Sequence, residues 1–300
     1  MAPPFRWEAT IDCRPTCICH RTGTELYPWT DVSTIARTVP REFGYNFTIM
    51  TLKNKIIIVT GAASGMGRAA AAMLRTEGAL VYAADWQQEA LEQSCSESGA
   101  VPCVTDISKS SECDELVARV VREQGKLDGT INFAGVLKRT GILECSDDEF
   151  DFVMDVNVKG CFYLCRAAAR VMKEQGYGSI VNISSIWSDV GAAGVLAYCA
   201  SKGAVSQITR SAALDLAGSG VRVNEVRPGE TNTPMLASER GGTLTQREID
   251  EKLTQIAATI PEKRLAEPRE IAAAALFLLS DASSYMQGAS ITVDGAYTAC

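Results

Sequence analysis

The chain has 300 residues, of which 46% are hydrophobic and 22% charged, and a formal net charge of −7. That is the composition of an ordinary globular protein with a substantial core, and its acidic balance argues against nucleic acid or an anionic membrane as a partner. The longest apolar stretch, Ile271–Leu279, is far shorter than the ~20 residues of a membrane span and reads as a buried helix.

Residues 1–49 differ from the rest. They hold prolines, Cys13, Cys17 and Cys19, both charge signs and no sustained apolar period. No secretory apolar segment is present, and the acidic residues argue against a mitochondrial presequence. The segment is read as an N-terminal extension, either disordered or the product of a start placed too early, with a functional appendage as the alternative. Residues 50–300 are read as one domain.

From Thr51 the pattern alternates. Strands are expected near 55–60, 79–84, 100–104, 127–132, 178–184, 220–226 and 289–293. Helices are expected near 66–77, 87–98, 109–124, 147–157, 160–175, 197–217 and 268–280. Alternating strands and helices imply an α/β fold, a doubly wound, Rossmann-like parallel sheet of about seven strands with helices on both faces. The longest break in the alternation, Thr233–Pro261, is polar, contains Gly241–Gly242 and ends in a weak helical pattern. A long ordered excursion of this kind is usually functional, here a lid; a surface insertion is the alternative.

The first strand runs into a glycine-rich turn, Gly61-Ala62-Ala63-Ser64-Gly65-Met66-Gly67, and then an alanine-rich helix. Glycines let a backbone turn tightly and approach a pyrophosphate held on the amides of a helix N-terminus. The second strand ends in Asp85, placed to bind the ribose hydroxyls of an adenosine. Together these make 50–300 a dinucleotide-binding domain.

Later in the chain Tyr198 and Lys202 stand in Tyr-Cys-Ala-Ser-Lys, after Ser185. Helical positions i and i+4 share a face. An ammonium beside a phenol favours the phenolate, and a phenol tuned that way can exchange a proton with an alcohol or carbonyl. His20 is the single histidine, so the folded body can hold no Ser-His-Asp triad and no His-ligated catalytic zinc. The spacing of Cys13, Cys17, Cys19 and His20 matches no common zinc site, and no metal is expected. The 11 cysteines form an odd, scattered set unlike a disulfide framework, which points to reduced thiols and a cytoplasmic location.

From Thr51 to Ala299 the chain resembles the short-chain dehydrogenases/reductases, in their compact single-domain branch. The resemblance rests on ordered motifs: Thr-Gly-Ala-Ala-Ser-Gly-Met-Gly at 60–67, Asp106, Asn-Phe-Ala-Gly at 132–135, Asn157, and Asn-Ile-Ser-Ser at 182–185. Tyr198, Lys202, Arg-Pro-Gly at 227–229, Thr233 and Val-Asp-Gly at 293–295 complete it. It implies that Tyr198 is the acid/base, Ser185 orients the reacting oxygen, and Lys202 lowers the tyrosine pKa and binds the nicotinamide ribose. Asn157 would hold a relay water. The thirteen-residue spacing to Tyr198 selects Ser185 rather than Ser184.

The implied cofactor residues are Gly61, Ser64, Gly65, Met66, Gly67, Asp85, Asp106, Ile107, Asn132, Ala134, Gly135, Tyr198, Lys202, Pro228, Gly229, Thr231 and Thr233. Asp106 could equally cap the helix that follows. Three departures from the family pattern stand out: Phe133 for a second asparagine, Glu230-Thr231 after Pro-Gly, and Ala296 for a glycine. They bear on the pocket, not on the catalytic set.

Trp187, Val190, Val195 and Leu196 either line the substrate pocket or pack under the lid, and Glu230 borders the site. The expected function is NAD(H)-dependent interconversion of a secondary alcohol and a ketone on a neutral, fairly hydrophobic small molecule. NAD is favoured over NADP by Asp85 and by the lack of a basic residue at Ser64 or Trp86. The alternatives are an NADPH-dependent ketoreductase of acyl or polyketide substrates and a non-catalytic dinucleotide-binding scaffold. A homodimer or homotetramer is expected.

Overall fold

The run at 56–59 is apolar and β-branched, and with Thr60 it forms the strand β1 (Ile56–Thr60), buried along its whole length. Such a strand belongs at the centre of a sheet covered on both faces. In the computed structural model, which describes residues 52–238 and 244–299, β1 is followed by α1 (Gly65–Thr76), β2 (Leu80–Asp85), α2 (Gln88–Ser98), β3 (Val101–Val104), α3 (Ser110–Gln124) and β4 (Gly129–Asn132). The second half comprises α4 (Asp147–Met154), α5 (Gly160–Gln175), β5 (Gly178–Ile183), α6 (Leu196–Asp215), β6 (Val221–Pro228), α7 (Pro234–Ala237), α8 (Gln246–Thr259), α9 (Pro268–Leu279) and β7 (Ser290–Val293). The extension at 1–49, with its Cys13, Cys17, Cys19 and His20, and the pair Gly241–Gly242 lie outside the described residues.

All strands pair in parallel, in the order β3-β2-β1-β4-β5-β6-β7. Ile57 and Val59 face a core shared with Ala70, Ala71 and Leu74 of α1 and with Ile271, Ala275 and Leu276 of α9. Ile56 and Ile58 face the opposite core, built with Leu116 and Val120 of α3 and Leu164 and Met172 of α5. The apolar stretch at 271–279 is thus a buried helix of a layered α/β protein. Among the described residues no helix is long and apolar enough to cross a membrane. The strand order reverses between β1 and β4, which opens a crevice at the carboxyl ends of those strands, where ligands of such sheets bind.

Two stretches differ from the expected pattern. The helices expected at 147–157 and 160–175 join into one helical run through a π-turn, Asp155–Lys159, in which the Gly160 amide bonds the carbonyl five residues back. Such one-residue insertions are frequent at functional sites. Among the described residues, the break expected at 233–261 holds two helices, α7 and α8. Thr245 and Glu248 bond reciprocally at the start of α8, a capping box that starts the helix after the polar segment.

Candidate active site

The glycine-rich turn is shaped by close approach. Gly61 has φ +67°, and a Cβ there would lie 2.7 Å from the Ala134 nitrogen across the crevice. At Gly67 a Cβ would lie 2.2 Å from the Gly61 carbonyl oxygen, so only glycine lets α1 start this close to β1. Gly61, Ser64, Gly65, Met66 and Gly67 line a cleft together with Asp85, Asp106, Ile107, Ala134, Gly135 and Thr233. The first amides of α1 lack intrahelical partners and face this cleft, which makes a natural seat for a pyrophosphate. A dinucleotide therefore fits the residues present.

Asp85 is held at the cleft by amides: its Oδ2 accepts from Ala63 at 3.2 Å and its Oδ1 from Gln87 at 3.0 Å. Arg68, one residue past the turn, pairs with Glu97 of α2 instead of reaching Asp85. Asp106 does not cap α3. Its Oδ1 accepts from the Ser108 amide at 3.0 Å and hydroxyl at 2.7 Å, and Lys109 lies 3.4 Å from its other oxygen. Burial alone would raise its pKa, but the bonds from Ser108 and Lys109 outweigh that and hold it below the usual value.

Six expected cofactor residues do not line this cleft: Tyr198 and Lys202, which lie beyond its inner end, and Asn132, Pro228, Gly229 and Thr231. Asn132 turns inward, where its Nδ2 donates to Asn182 Oδ1 at 2.7 Å and ties β4 to β5; the strands are thus joined by an amide although Phe133 replaces the second asparagine. Pro228 ends β6. Gly229 packs on the segment after β7, with a Cβ position 2.7 Å from Asp294 Cα. Thr231 is buried, and its hydroxyl donates to the Gly229 carbonyl at 3.0 Å. Trp86, singled out only as a non-basic neighbour of Asp85, lines the cleft too, and Phe152, Asp155, Val156 and Met235 join it without any local sequence signal, because they arrive from separate elements.

Beyond Gly135 the cleft meets the reactive groups. A Cβ on Gly135 would sit 3.6 Å from Lys202 Nζ and 3.2 Å from Asn157 Oδ1. Lys202 is buried on α6, and its ammonium donates to the Ile183 carbonyl at 2.8 Å. Burial lowers its pKa to about 8, against the opposing pull of Cys161 and Glu225. The ammonium lies 5.5 Å from the centre of the Tyr198 ring.

The Tyr198 phenol is pushed up, to about 12, by burial, with Glu230 adding to the rise and a hydrogen bond from Ser185 opposing it. This differs from the expectation of a lowered phenol, because burial is the largest cause. Ser185 sits at the turn after β5, where its Oγ accepts from the Trp187 amide at 3.2 Å. Ser184 faces the core instead, with its Oγ 2.7 Å from Ser206 Oγ.

Asn157 lies in the π-turn. Both of its amide donors are committed, to the Val136 carbonyl and to Ser201 Oγ, each at 2.9 Å, while its Oδ1 accepts from the Val136 amide at 2.7 Å. On the side chain, only the remaining lone pair of Oδ1 is left to accept from a relay water.

The candidate pocket residues are spread out. Trp187 packs edge-on against Tyr297 of the C-terminal segment, ring centres 5.6 Å apart. Leu196 opens α6 and bonds the Thr140 carbonyl through its amide, while Val190 is largely exposed. Glu230 lines a small cavity with Ile260, Arg264 and Asp294, and burial raises its pKa against the pull of Arg139. Arg139 also donates to the Ser238 and Leu236 carbonyls at 2.8 and 3.0 Å, which fastens α7 beside the cleft.

A family model described as Enoyl-(Acyl carrier protein) reductase matches residues 61–298. The chain is 36% identical over 255 residues to a cyclopentanol dehydrogenase of Comamonas testosteroni, covering 83% of this chain and 98% of that one. It is 36% identical over 254 residues to a meso-2,3-butanediol dehydrogenase of Serratia marcescens, covering 83% and 97%. The chain belongs to the short-chain dehydrogenase/reductase family. The crystal structure of levodione reductase superposes with a TM-score of 0.78 at 31% identity, covering 83% of this chain and 99% of that one. A 3-oxoacyl-(acyl-carrier-protein) reductase of Thermotoga maritima is 35% identical over 252 residues, covering 82% and 98%. This short-chain dehydrogenase/reductase is an enzyme acting on CH–OH groups with a nicotinamide dinucleotide, and its relatives support oxidoreduction between secondary alcohols and ketones.

Proposed function

We propose that the enzyme uses NAD(H) in preference to NADP(H) to interconvert a secondary alcohol and a ketone on a neutral, fairly hydrophobic small molecule. The observation that carries the cofactor choice is the charge of the cleft. Its lining contains Asp85, Asp106 and Asp155 and no lysine or arginine among the described residues, and the nearest arginine along the chain, Arg68, is paired with Glu97. A 2′-phosphate at Asp85 would set like charges together in a partly desolvated site. At ~4 Å and an effective dielectric of ~20 that repulsion is on the order of several kcal/mol before relaxation. Even a quarter of it gives about a tenfold preference.

Bound in the cleft, the nicotinamide dinucleotide supplies or accepts the hydride. Tyr198 exchanges the proton at the reacting oxygen, and Ser185 holds that oxygen through the hydroxyl already aimed at the phenol. Lys202, with two ammonium hydrogens left after Ile183, meets the inner end of the cleft at Gly135 and keeps positive charge near the phenol as its proton leaves. Glu230 disfavours an anionic substrate, and Trp187 and Tyr297 offer apolar ring surface. The names of the cyclopentanol and butanediol relatives support the same reading. The test is the specificity constant with NAD and NADP over a panel of neutral ketones, alcohols and matched keto acids. A preference for NAD of at least about tenfold and for the neutral compounds is expected. Equal use of both cofactors, or a preference for the acids, would overturn it.

A further inference from the structure

β6 carries two buried charged residues, Glu225 and Arg227, where apolar residues would complete the core without desolvating charge. Glu225 is fully buried. Its Oε1 accepts from Arg227 Nε at 2.7 Å, from Ser206 of α6 at 3.0 Å and from Ser290 of β7 at 2.6 Å. Ser206 in turn touches Ser184, whose Oγ lies 3.1 Å from the Lys202 carbonyl. In the other direction the Arg227 guanidinium pairs with Asp189, on the short loop that follows Ser185. One buried pair is thereby joined to the helical turn of Lys202, to the residue beside Ser185 and to the loop beyond it.

We propose that Arg227 is a positioning residue for the reaction. By bridging Glu225 and Asp189 it fixes the loop 186–190 and so holds the Ser185 hydroxyl at the Tyr198 phenol. The fork of a guanidinium suits this, because Nε and Nη1 bind two carboxylates at once in a fixed plane. The inference rests on the alcohol–ketone reading for its kinetic arm only.

Asp189→Ala cuts the outer link without burying an unpaired charge, since the Asp189 side chain is 53% exposed and Glu225 keeps Arg227. Small misplacements of catalytic groups can lower rates by up to ~10²-fold; kcat is expected to fall about 10-fold or more, with unchanged NADH affinity and thermal midpoint. Asp189→Glu should restore much of the loss. Arg227→Lys should reproduce it, and the double variant should fall no further than either single one. Unchanged kcat in Asp189→Ala, or parallel loss of NADH affinity and melting temperature, would overturn the proposal. Hydrogen exchange over 185–190 supplies an arm that needs no substrate: it should quicken in Asp189→Ala and recover in Asp189→Glu. If the wild type turns over no member of the panel, the reaction assignment fails, and unchanged exchange would separately sink the positioning role.

Discussion

Tyr198 is, among the described residues, the phenol beside Ser185 and Lys202, and Tyr198→Phe removes its proton while keeping the ring. Turnover should drop by about 10²–10⁴-fold, with NADH fluorescence titrating as in the wild type; retention of a tenth of the activity would mean that another group moves the proton. Tyr297 belongs to the same scale. Its ring closes on Trp187, so Tyr297→Ala should shift the preference among secondary alcohols towards bulkier rings, while Tyr297→Phe should not; identical size profiles for all three proteins would remove Tyr297 from the substrate wall. At this scale the sequence was legible where spacing carries the information. Thirteen residues separate Ser185 from Tyr198, and the structure turns Ser185 to the phenol and Ser184 to the core. It was not legible at Glu225 and Arg227. Glu225 and Arg227 fall on one face of their strand, as two solvated charges would, and only Ser206, Ser290 and Asp189, drawn in from distant segments, show that this face is internal.

The elements themselves follow from patterns that span a few residues. The glycine turn, the buried β1 and the apolar α9 sit where periodicity put them, because each is decided by its own side chains. The π-turn is different: nothing in Asp155–Lys159 breaks a helix, and the slip becomes visible only through Asn157, whose amide joins Val136 to Ser201. Gly61 offers the sharpest test of an element. Gly61→Ala would place a methyl group 2.7 Å from backbone and hold alanine at positive φ, a conformation costing roughly 1–2 kcal/mol before the clash. Dinucleotide affinity should be lost in calorimetric titration before the fold is, as judged by far-ultraviolet dichroism. Affinity within threefold of wild type would mean that β1 and β4 separate more readily than this packing implies. At the start of α8, Thr245→Ala removes the helix cap and should lower stability by about 1 kcal/mol, seen as a shifted denaturation midpoint with unchanged NADH binding.

For the molecule as a whole, buried titratable groups set the response to alkali. Burial raises Cys113 to about 12 and Cys103 to about 11, each from 9.0. Between those values the unfolded chain has released protons that the folded one retains, so both thiols make stability fall as pH rises above about 9. Lys202 works the other way. Its folded value of about 8 lies below the ordinary 10.5, the unfolded chain binds more protons in that window, and stability rises with pH through it. Thermal midpoints measured from pH 8 to 11 should therefore decline less in Cys113→Ala and more steeply in Lys202→Met than in the wild type. A common slope for all three would mean that these groups are hydrated in the folded protein.

The order of the strands also sets a timetable. β1 lies between β2 and β4, so the first three described strands to leave the ribosome form a sheet whose edge member, β1, is still waiting for its second neighbour more than sixty residues downstream. The backbone of Ala134, against which Gly61 closes, is made later than β4 itself. A nascent chain thus owns the whole glycine motif long before it owns a seat for a nucleotide, and no cofactor can template the folding of its first half.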